Sequence, residues 1–590
     1  RDNLFKGGRN TQFAQDAGIS YTLPMQKIPF LDWMNVRATY NTKYNWLAAS
    51  LLARSLGNTL SNTQTRAINA ELNFDQLYNK SRFLRAANSG QTRPNARNNN
   101  APKPAPVPEN LKVSSGPVIP DSVWVKMTPK EKRAFRKAER KRKRMERRQQ
   151  KELKRNQPVE MGGAAKTAIG VVTALKRVGI QYNQDFGTTL PGYMDSTVLL
   201  GNNWKSREPG MGFIFGYQPD TSWINRFGAK GLLSRDSLVS AMIQQRYNER
   251  LNITAQVSPI RDLNIDVNLD KSFSKQYSEL YKDTTGAAGL SRLNPYAMGS
   301  FNISYIAYQT LFEKFDPNVV SATFKEFESN RRILSDRLAK LNGYQNGQLD
   351  PNDPEYYQGY GRYAQDVVIP SFLAAYTGKD PASIKLFKNA NPNLRSNPFA
   401  GLIPRPNWSL TYNGLSRISG LDKIFTNVTI RHGYHSTLSM NSFNTALLFA
   451  DPNRIGYPYF RDTLTGNYIP YFLVPNLTIQ ESFDPMFELD VTFTNQLSTR
   501  FEFRKSRTLS LSLIDYQLAE NRSTEYVFGF NYRKKGVPLL KNKTVGKNGK
   551  KLDGDITFRM DLSLRDDATA NSKLDQGTSF GTAGQRVIRI

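Results

Sequence analysis

The chain has 590 residues, 81 Lys and Arg against 50 Asp and Glu, a net charge of +31 and no cysteine. The last point excludes a disulfide framework and any thiolate metal site. So large a positive charge ordinarily points to nucleic acid, but here it is concentrated. Lys126 to Arg155 holds 16 basic and 4 acidic residues, so +12 of the +31 sits there and +19 is left for the other 560 residues.

Near the N-terminus, Val36, Ala38, Tyr40, Thr42, Tyr44 and Trp46 share one parity, opposite Arg37, Thr39, Asn41, Lys43 and Asn45. Ile68, Ala70, Leu72 and Phe74 then alternate with Asn69, Glu71, Asn73 and Asp75. Side chains on a strand point alternately to opposite faces, so these are two strands at the spacing of a long hairpin. Residues 86–121 lose all periodicity, and Arg97 to Pro108 reads as a Pro/Asn-rich linker. Thr128, Pro129 and Glu131 then make a helix-starting capping box with Pro in the first turn. Strong helix formers follow to about Arg155, with Arg140, Lys141, Arg142, Lys143 and Arg144 at the centre. This helix has no apolar stripe to bury. Three roles are open to it: binding nucleic-acid phosphates, lying against acidic lipid or lipopolysaccharide phosphates, or standing in solvent as most charge runs do.

No apolar run approaches the ~18–20 residues of a membrane helix. The best, Ala168 to Leu175, is broken by Gly170 and Thr173. A place in a membrane therefore requires a barrel. Gly210 to Gly216 superficially resembles a glycine-rich nucleotide loop, but its spacing is wrong, and it reads as a strand with small residues at a close approach. Strands resume by residue 250: Leu251, Ile253, Ala255 and Val257 turn at Ser258-Pro259 into Leu263, Ile265, Val267 and Leu269. Phe301, Ile303 and Tyr305 make another. From 316 to 343 the period becomes helical, with Asp316-Pro317 at its start and Gly343 at its end. Its stripe is Val320, Phe324, Phe327, Leu334, Leu338 and Leu341, interrupted by Arg331. This helix and the irregular region to about Pro406 should pack against a barrel mouth or a partner.

From Trp408 the chain is strands again. His432 and His435 are the only histidines, and on a strand their spacing puts them on opposite faces, poor geometry for a shared metal. Phe487, Leu489, Val491 and Phe493 alternate with Glu488, Asp490, Thr492 and Thr494. Leu509, Leu511 and Leu513 follow, then Tyr526, Phe528, Phe530 and Tyr532. Lys547-Asn548-Gly549-Lys550 supplies a hairpin turn. Ile556, Phe558, Met560, Leu562 and Leu564 then oppose Thr557, Arg559, Asp561, Ser563 and Arg565. Charges on one face and bulky apolar groups on the other fit either a sandwich core or the lipid of an outer membrane. Arg1 is no start residue, no signal peptide is visible, and Val587 to Ile590 reads as a strand beginning, so the chain reads as a fragment. The pattern divides it into a loop with first strands (1–80), a linker with a basic helical insert (81–165), strands and loops (166–310), a partly helical insert (311–406) and a final run of strands (407–590).

Four stretches carry a resemblance. They are Leu56-Gly57-Asn58-Thr59-Leu60-Ser61-Asn62-Thr63-Gln64-Thr65 with Leu72 to Lys80, Gln365 to Phe372, Asn407 to Leu415 with Val428 to Tyr434, and Arg507 to Leu513. Together they resemble the C-terminal region of the SprA/Sov family, the outer-membrane translocons of type IX secretion in Bacteroidota, which also serve gliding motility. The resemblance spans most of residues 30 to 590. It implies an all-β fold, part of a very large antiparallel transmembrane β-barrel with helical and disordered inserts, in the cell outer membrane. It also implies export of folded cargo bearing a C-terminal sorting domain. The implied partners are a smaller β-barrel shuttle protein of the PorV kind and a periplasmic plug protein; apart from the resemblance, no residues form a nucleotide loop, a zinc site or a nucleophile with a base, so no cofactor, no enzyme activity and no nucleic acid are expected.

In a barrel the polar parity faces water, which places Glu488, Asp490, Arg500, Glu502, Arg504, Arg559, Asp561 and Arg565 on a lumen wall. The same ladder of charges also fits a purely stabilising cross-strand role. Phe487, Val491, Leu511, Phe528, Phe558 and Leu562 should meet lipid. Other readings remain: a TonB-dependent receptor-like or other large outer-membrane channel, a basic RNA-associated structural protein, and a soluble β-sandwich.

Overall fold

The computed structural model describes residues 9–81, 84, 128–129, 132–133, 136–137, 139–141, 144, 163–284, 290–344, 347–387, 397, 399–538, 544–545, 550–551, 553–574 and 576–590. The chain forms two units. The first joins Arg1–Asn73, Leu175–Val257 and Asp262–Ile590; the second joins Phe74–Ala174 with Ser258–Arg261.

A 15-stranded antiparallel sheet makes up the first unit. Its strands are β1 (Gln12–Thr22), β2 (Met34–Leu47), β3 (Asn58–Asn73), β4 (Leu175–Tyr193), β5 (Ile243–Val257), β6 (Leu263–Lys282), β7 (Ser291–Ser304), β8 (Asn407–Tyr412), β9 (Phe425–Thr445), β10 (Phe472–Leu473), β11 (Asn476–Phe493), β12 (Leu497–Ser512), β13 (Gln517–Pro538), β14 (Asp553–Lys573) and β15 (Thr578–Arg589). They follow one another as a meander, except that β7 and β8 share the place between β6 and β9, and that β9 pairs with both β10 and β11. Strand alternation predicts most of them. It misses β1 and β4, where Gln15 of the one and Gln184 and Thr188 of the other stand at the apolar parity and interrupt the signal.

One strand position is composite. β7 pairs with the end of β6 and with β9 through Ile303↔Lys271 and Ile303↔Leu438. β8 continues the same line, through Trp408↔Val267 and Trp408↔Tyr434. Between them the chain leaves the sheet at Tyr305 and returns at Asn407. The seam is closed by hydrogen bonds: Tyr305 N–H donates to Ser436 O (3.1 Å), Arg405 N–H to Ser304 O (2.9 Å) and Ser436 N–H to Asn407 Oδ1 (2.8 Å).

Two inserts cover part of one sheet face. The first, between β4 and β5, carries α1 (Thr221–Ala229). Its Trp223, Ile224 and Phe227 bury against Tyr44, Trp46, Leu60, Leu190 and Ile243 of the wall. Contrary to the strand expected over Gly210 to Gly216, Met211–Ile214 is a single helical turn between two glycines of positive φ. Close approach is nevertheless the reason for Gly216: a Cβ there would lie 3.0 Å from the side chains of Gln64 and Thr42.

The second insert, residues 305–406, carries α2 (Ala322–Leu341) and α3 (Gln365–Tyr376). α2 starts five residues later than Asp316-Pro317 suggests, because Ser321 is the cap: its Oγ accepts from Phe324 N–H (3.1 Å). Asp316 caps a turn instead, accepting from Asn318 N–H (3.0 Å). The helix ends on Asn342 rather than with a left-handed glycine, and Leu341, expected in the stripe, is half exposed. Arg331 is buried within the stripe it was expected to interrupt. Its guanidinium donates to the carbonyls of Arg362 and Leu574 and lies 5.3 Å from the Phe327 ring centroid. α3 falls in the stretch expected to be irregular. It is buried on every side from Val367 to Tyr376 and contains Pro370, so it has neither an amphipathic period nor a helix-like composition to reveal it.

In the second unit, Gly163–Val172 is helical. Pro129 begins the basic helix, with Lys132 N–H donating to Thr128 O (3.0 Å). Arg140, Lys141 and Arg144 are helical and exposed. Arg142, Lys143 and Glu131 of the capping box lie outside the described residues, as do the Pro/Asn-rich linker and the Asn548-Gly549 turn. Thr544–Val545 and Lys550–Lys551, which flank that turn, pair antiparallel. Among the described residues no helix is long and apolar enough to cross a membrane.

Candidate functional site

The site is the sheet itself, because its two faces differ along their whole height. On β5, Gln244, Arg246, Asn248, Arg250, Thr254 and Gln256 are all exposed on one face. On β6, Asn264, Asp266, Asn268 and Asp270 continue that face, by the pairings Gln256↔Asp266, Thr254↔Asn268 and Asn252↔Asp270. The opposite face has two zones. β12 and β13 pair without a register shift, so parity alone tracks a face along them. At one end Leu511, Leu509 and Arg507 of β12 and Leu518 and Glu520 of β13 are buried beneath the second insert. Further along the same face stand Phe503, Phe501, Tyr526, Phe528, Phe530 and Tyr532. Tyr526 is 37% and Phe528 50% exposed, and Phe503 stacks on Tyr526 at 4.8 Å. Thus the inserts and the bare aromatic zone share one face, and the polar residues have the other.

The bare zone extends across the sheet. Phe558 is 55% exposed, and Ile19, Tyr21, Ile68, Ile556 and Met560 are exposed on the same side. From Ile556 to Leu564 it runs nine residues along the strand, about 26 Å at ~3.3 Å per residue, which matches the roughly 9–11 residues that a tilted membrane strand spans.

All eight residues expected on the polar wall share the polar face, and seven of them make ion pairs. Glu488 accepts from Arg431 (2.7 Å) and lies 3.2 Å from Arg500. Glu502 lies between Arg500 (2.6 Å) and Arg504 (2.5 Å), and Arg504 also reaches Asp484 (3.0 Å) and Glu525 (3.3 Å). Asp490 stands opposite Arg500 in the ladder. Arg559 pairs with Asp561 (2.7 Å) and Arg565 with Asp567 (2.9 Å). Glu488 and Glu502 are buried under the guanidiniums that flank them, while the guanidiniums are half exposed. Water therefore meets the guanidiniums there with Glu488 and Glu502 masked, while Asp484 and Asp561 stay exposed. Arg431, Asp484 and Glu525, which complete the network, were not singled out from sequence; Arg431 alternates with Ile430 and His432 and was legible by parity.

Of the six residues expected to face lipid, Phe487, Val491, Phe528, Phe558 and Leu562 lie in the bare zone. Leu511 is a correction. It has the right parity but 0% exposure, because the second insert covers that end of the strand. Parity assigns a face and cannot assign what covers it.

Beneath that insert lies a buried charge cluster that alternation did not flag. Arg507 donates to Glu481 (2.5 Å) and to Ala307 O (3.0 Å), and Glu481 accepts from Tyr434 Oη (2.9 Å). Arg522 donates to Leu311 O (3.0 Å) and Glu313 O (2.8 Å). The cluster ties the start of the insert to four strands.

The histidines serve the frame. His432 Nδ1 lies 2.7 Å from Met486 O, and His435 Nδ1 3.0 Å from Asn407 Nδ2 at the seam. Among the described residues no group of three or more His, Cys, Asp or Glu could hold a metal ion.

No family model matches the chain, and no curated protein matches it. Solved structures similar to it include the outer membrane transporter YddB from Escherichia coli, at 7% identity and a TM-score of 0.18 over 98% of this chain and 69% of that one. Another is the copper transporter OprC, at 8% identity and a TM-score of 0.22 over 98% of this chain and 63% of that one. Likenesses this slight carry nothing about what the chain does.

Proposed function

We propose that this sheet is a sector of the wall of an outer-membrane β-barrel, and that the whole protein is the protein-conducting channel of type IX secretion. One observation carries the membrane reading. A single continuous sheet has a polar, water-facing side over its full height and an opposite side divided into a protein-covered zone and a bare apolar band about nine residues long along the strand. In a soluble sandwich that band would be covered by a second sheet. In a barrel it faces lipid, the inserts clothe the outside of the wall beyond the bilayer, and the charged face lines the lumen.

β1 and β15 each have one unpaired edge among the described residues. An open edge in hydrocarbon leaves backbone groups unsatisfied, so further strands must close the wall. The finer assignment rests on the resemblance of Leu56–Thr65, Gln365–Phe372, Asn407–Leu415 and Arg507–Leu513 to the SprA/Sov translocons. On that reading the lumen passes folded cargo with a C-terminal sorting domain, the partners are a PorV-like shuttle barrel and a periplasmic plug, and gliding motility depends on the same channel. The charges of the polar wall keep the pore wetted and keep apolar cargo surfaces from sticking to it.

The test is fractionation of the native protein with detergent extraction and identification of co-purifying chains. Recovery from the outer membrane with a smaller barrel and secreted cargo is the expected result. Recovery with a TonB-type energy-coupling partner and a small solute would replace the translocon by a receptor, and recovery in the soluble fraction would end the barrel reading.

A further inference from the structure

A row of ionisable side chains crosses the apolar face where protein cover gives way to bare wall. Starting from the end of the sheet at which β5 turns into β6, the first such group on that face is Arg66 on β3, Glu249 on β5, Lys271 on β6, Lys505 on β12, Asp566 on β14 and Arg586 on β15. Before the row that face is apolar on β3 from Leu72 to Ile68, and apolar but for Thr499 on β12 from Leu497 to Phe503. Just past it the inserts begin: Gln64 lies under Gly216 of the first, and Arg507 under Ala307 of the second.

The row is slanted to the ladder. Ala67, beside Arg66, lies on the rung Ala67↔Asn183↔Arg250↔Ser272↔Asn302↔Ser439↔Thr478↔Ser510. One residue further up, Arg66 is level with Leu511, and Lys505 stands six residues below Leu511, seven strand positions from Arg66. At ~3.3 Å per residue and ~4.8 Å per strand that is about 20 Å down in about 34 Å across, a slope of about 30°. Strands of membrane barrels tilt by ~35–45°, so a row lying level with a bilayer crosses the rungs at about that slope.

Four of the six groups are satisfied within the protein. Asp566 pairs with Arg586 (2.6 Å), Glu249 accepts from Tyr247 Oη (2.6 Å), and Lys271 donates to the carbonyls of Ala400 (3.2 Å) and Leu402 (3.1 Å). The side chains of Arg66 and Lys505 make no hydrogen bond or ion pair among the described residues. Each lies against rings instead. Arg66 is 5.6 Å from the Phe186 centroid and 6.0 Å from that of Tyr40, and Lys505 is 4.8 Å from that of Phe312, which is half exposed.

We propose that Arg66 and Lys505 each hold the phosphate of an anionic lipid head group whose acyl chains lie along the bare band. The proposal rests on the membrane reading of that band. A ring face steadies a cation but neutralises none of its charge, so each site still lacks an anion. Both cations stand on the face opposite the polar wall, where an anion in the lumen does not reach them. A lipid lying on Ile68, or on Phe501 and Phe503, brings its phosphate to their level. The Arg66 fork suits two phosphate oxygens, and Lys505 offers a single point charge.

The experiment takes the native full-length protein, delipidated in neutral detergent. It is given phosphatidylglycerol, or diacylglycerol with the same acyl chains, and retained lipid is counted by native mass spectrometry. Wild type should retain more phosphatidylglycerol than diacylglycerol. Arg66→Gln and Lys505→Gln should each retain one phosphatidylglycerol fewer than wild type and the double variant two fewer, with diacylglycerol unchanged. Arg66→Lys and Lys505→Arg, which keep the charge, should retain the wild-type number. Full retention by the double Gln variant overturns the proposal. So does equal retention of the two lipids by wild type, a comparison that needs no variant and leaves acyl contact alone. Binding of inorganic phosphate at both positions with no phosphatidylglycerol retained overturns it in favour of a free anion. Recovery of the protein without detergent, with neither lipid retained, overturns the membrane reading beneath it.

Discussion

Arg507 and Glu481 are fully buried and 2.5 Å apart, and each balances the other's charge away from water. Removing one partner strands a buried charge, so Arg507→Met should cost about 3–5 kcal/mol. Arg507→Met with Glu481→Gln should recover most of that loss, although the bond to Ala307 O stays broken. Urea unfolding of the two variants measures the difference, and equal losses would refute the coupling. Phe558 and Leu511 give a second contrast, since they have one parity and different surroundings. Phe558→Arg should cost roughly 2–4 kcal/mol of insertion if the residue sits near the bilayer midplane. Leu511→Ala should cost roughly 2–5 kcal/mol by opening a cavity under the insert, whatever the solvent outside. A Phe558→Arg protein that folds into bilayers as readily as wild type would remove Phe558 from the lipid face.

At the scale of elements, α1 and the seam each rest on one side chain. Asp220 caps α1, accepting from Trp223 N–H (2.9 Å) and Ser222 Oγ (2.8 Å). Those bonds, the backbone one foremost, hold its carboxyl below the ordinary range. A depressed folded-state pKa means stability that is present above the ordinary carboxylate pKa and fades as pH falls through that value and below it. Asp220→Ala should cost about 0.5–2 kcal/mol at neutral pH, with the gap from wild type closing in acid; thermal melts across pH 3 to 7 test the sign. At the seam, Asn407 accepts from Ser436 N–H and binds His435 where β7 hands over to β8. Asn407→Ala leaves that amide without its partner, so hydrogen exchange at Ser436 should accelerate while exchange in the β12–β13 ladder stays unchanged. α2 was legible because its buried face recurs at helical spacing. α3 was hidden because burial on all sides erases that period.

For the whole molecule, the decisive property is how covering protein is distributed over a two-faced sheet. Alternation along β9, β11, β12, β13 and β14 is clean enough that all eight charged residues assigned to one face are found there. Strand parity is a covalent consequence of the backbone, so the sequence by itself determined the antiparallel strands other than β1 and β4, their two faces and the residues on each. It also placed the start of the basic helix and the large breaks in the sheet. Only the tertiary structure decided what each face meets. It showed that the inserts lie on the apolar face and leave the polar one bare, and that Leu511 and Arg507 are covered while Phe528 and Phe558 are not. It also joined β7 and β8 into one strand position across residues 305–406. The reason is that coverage, pairing across an insertion and masking of acids by neighbouring guanidiniums are relations between segments far apart in the chain, and a pattern of period two records only which side each residue leaves its own strand.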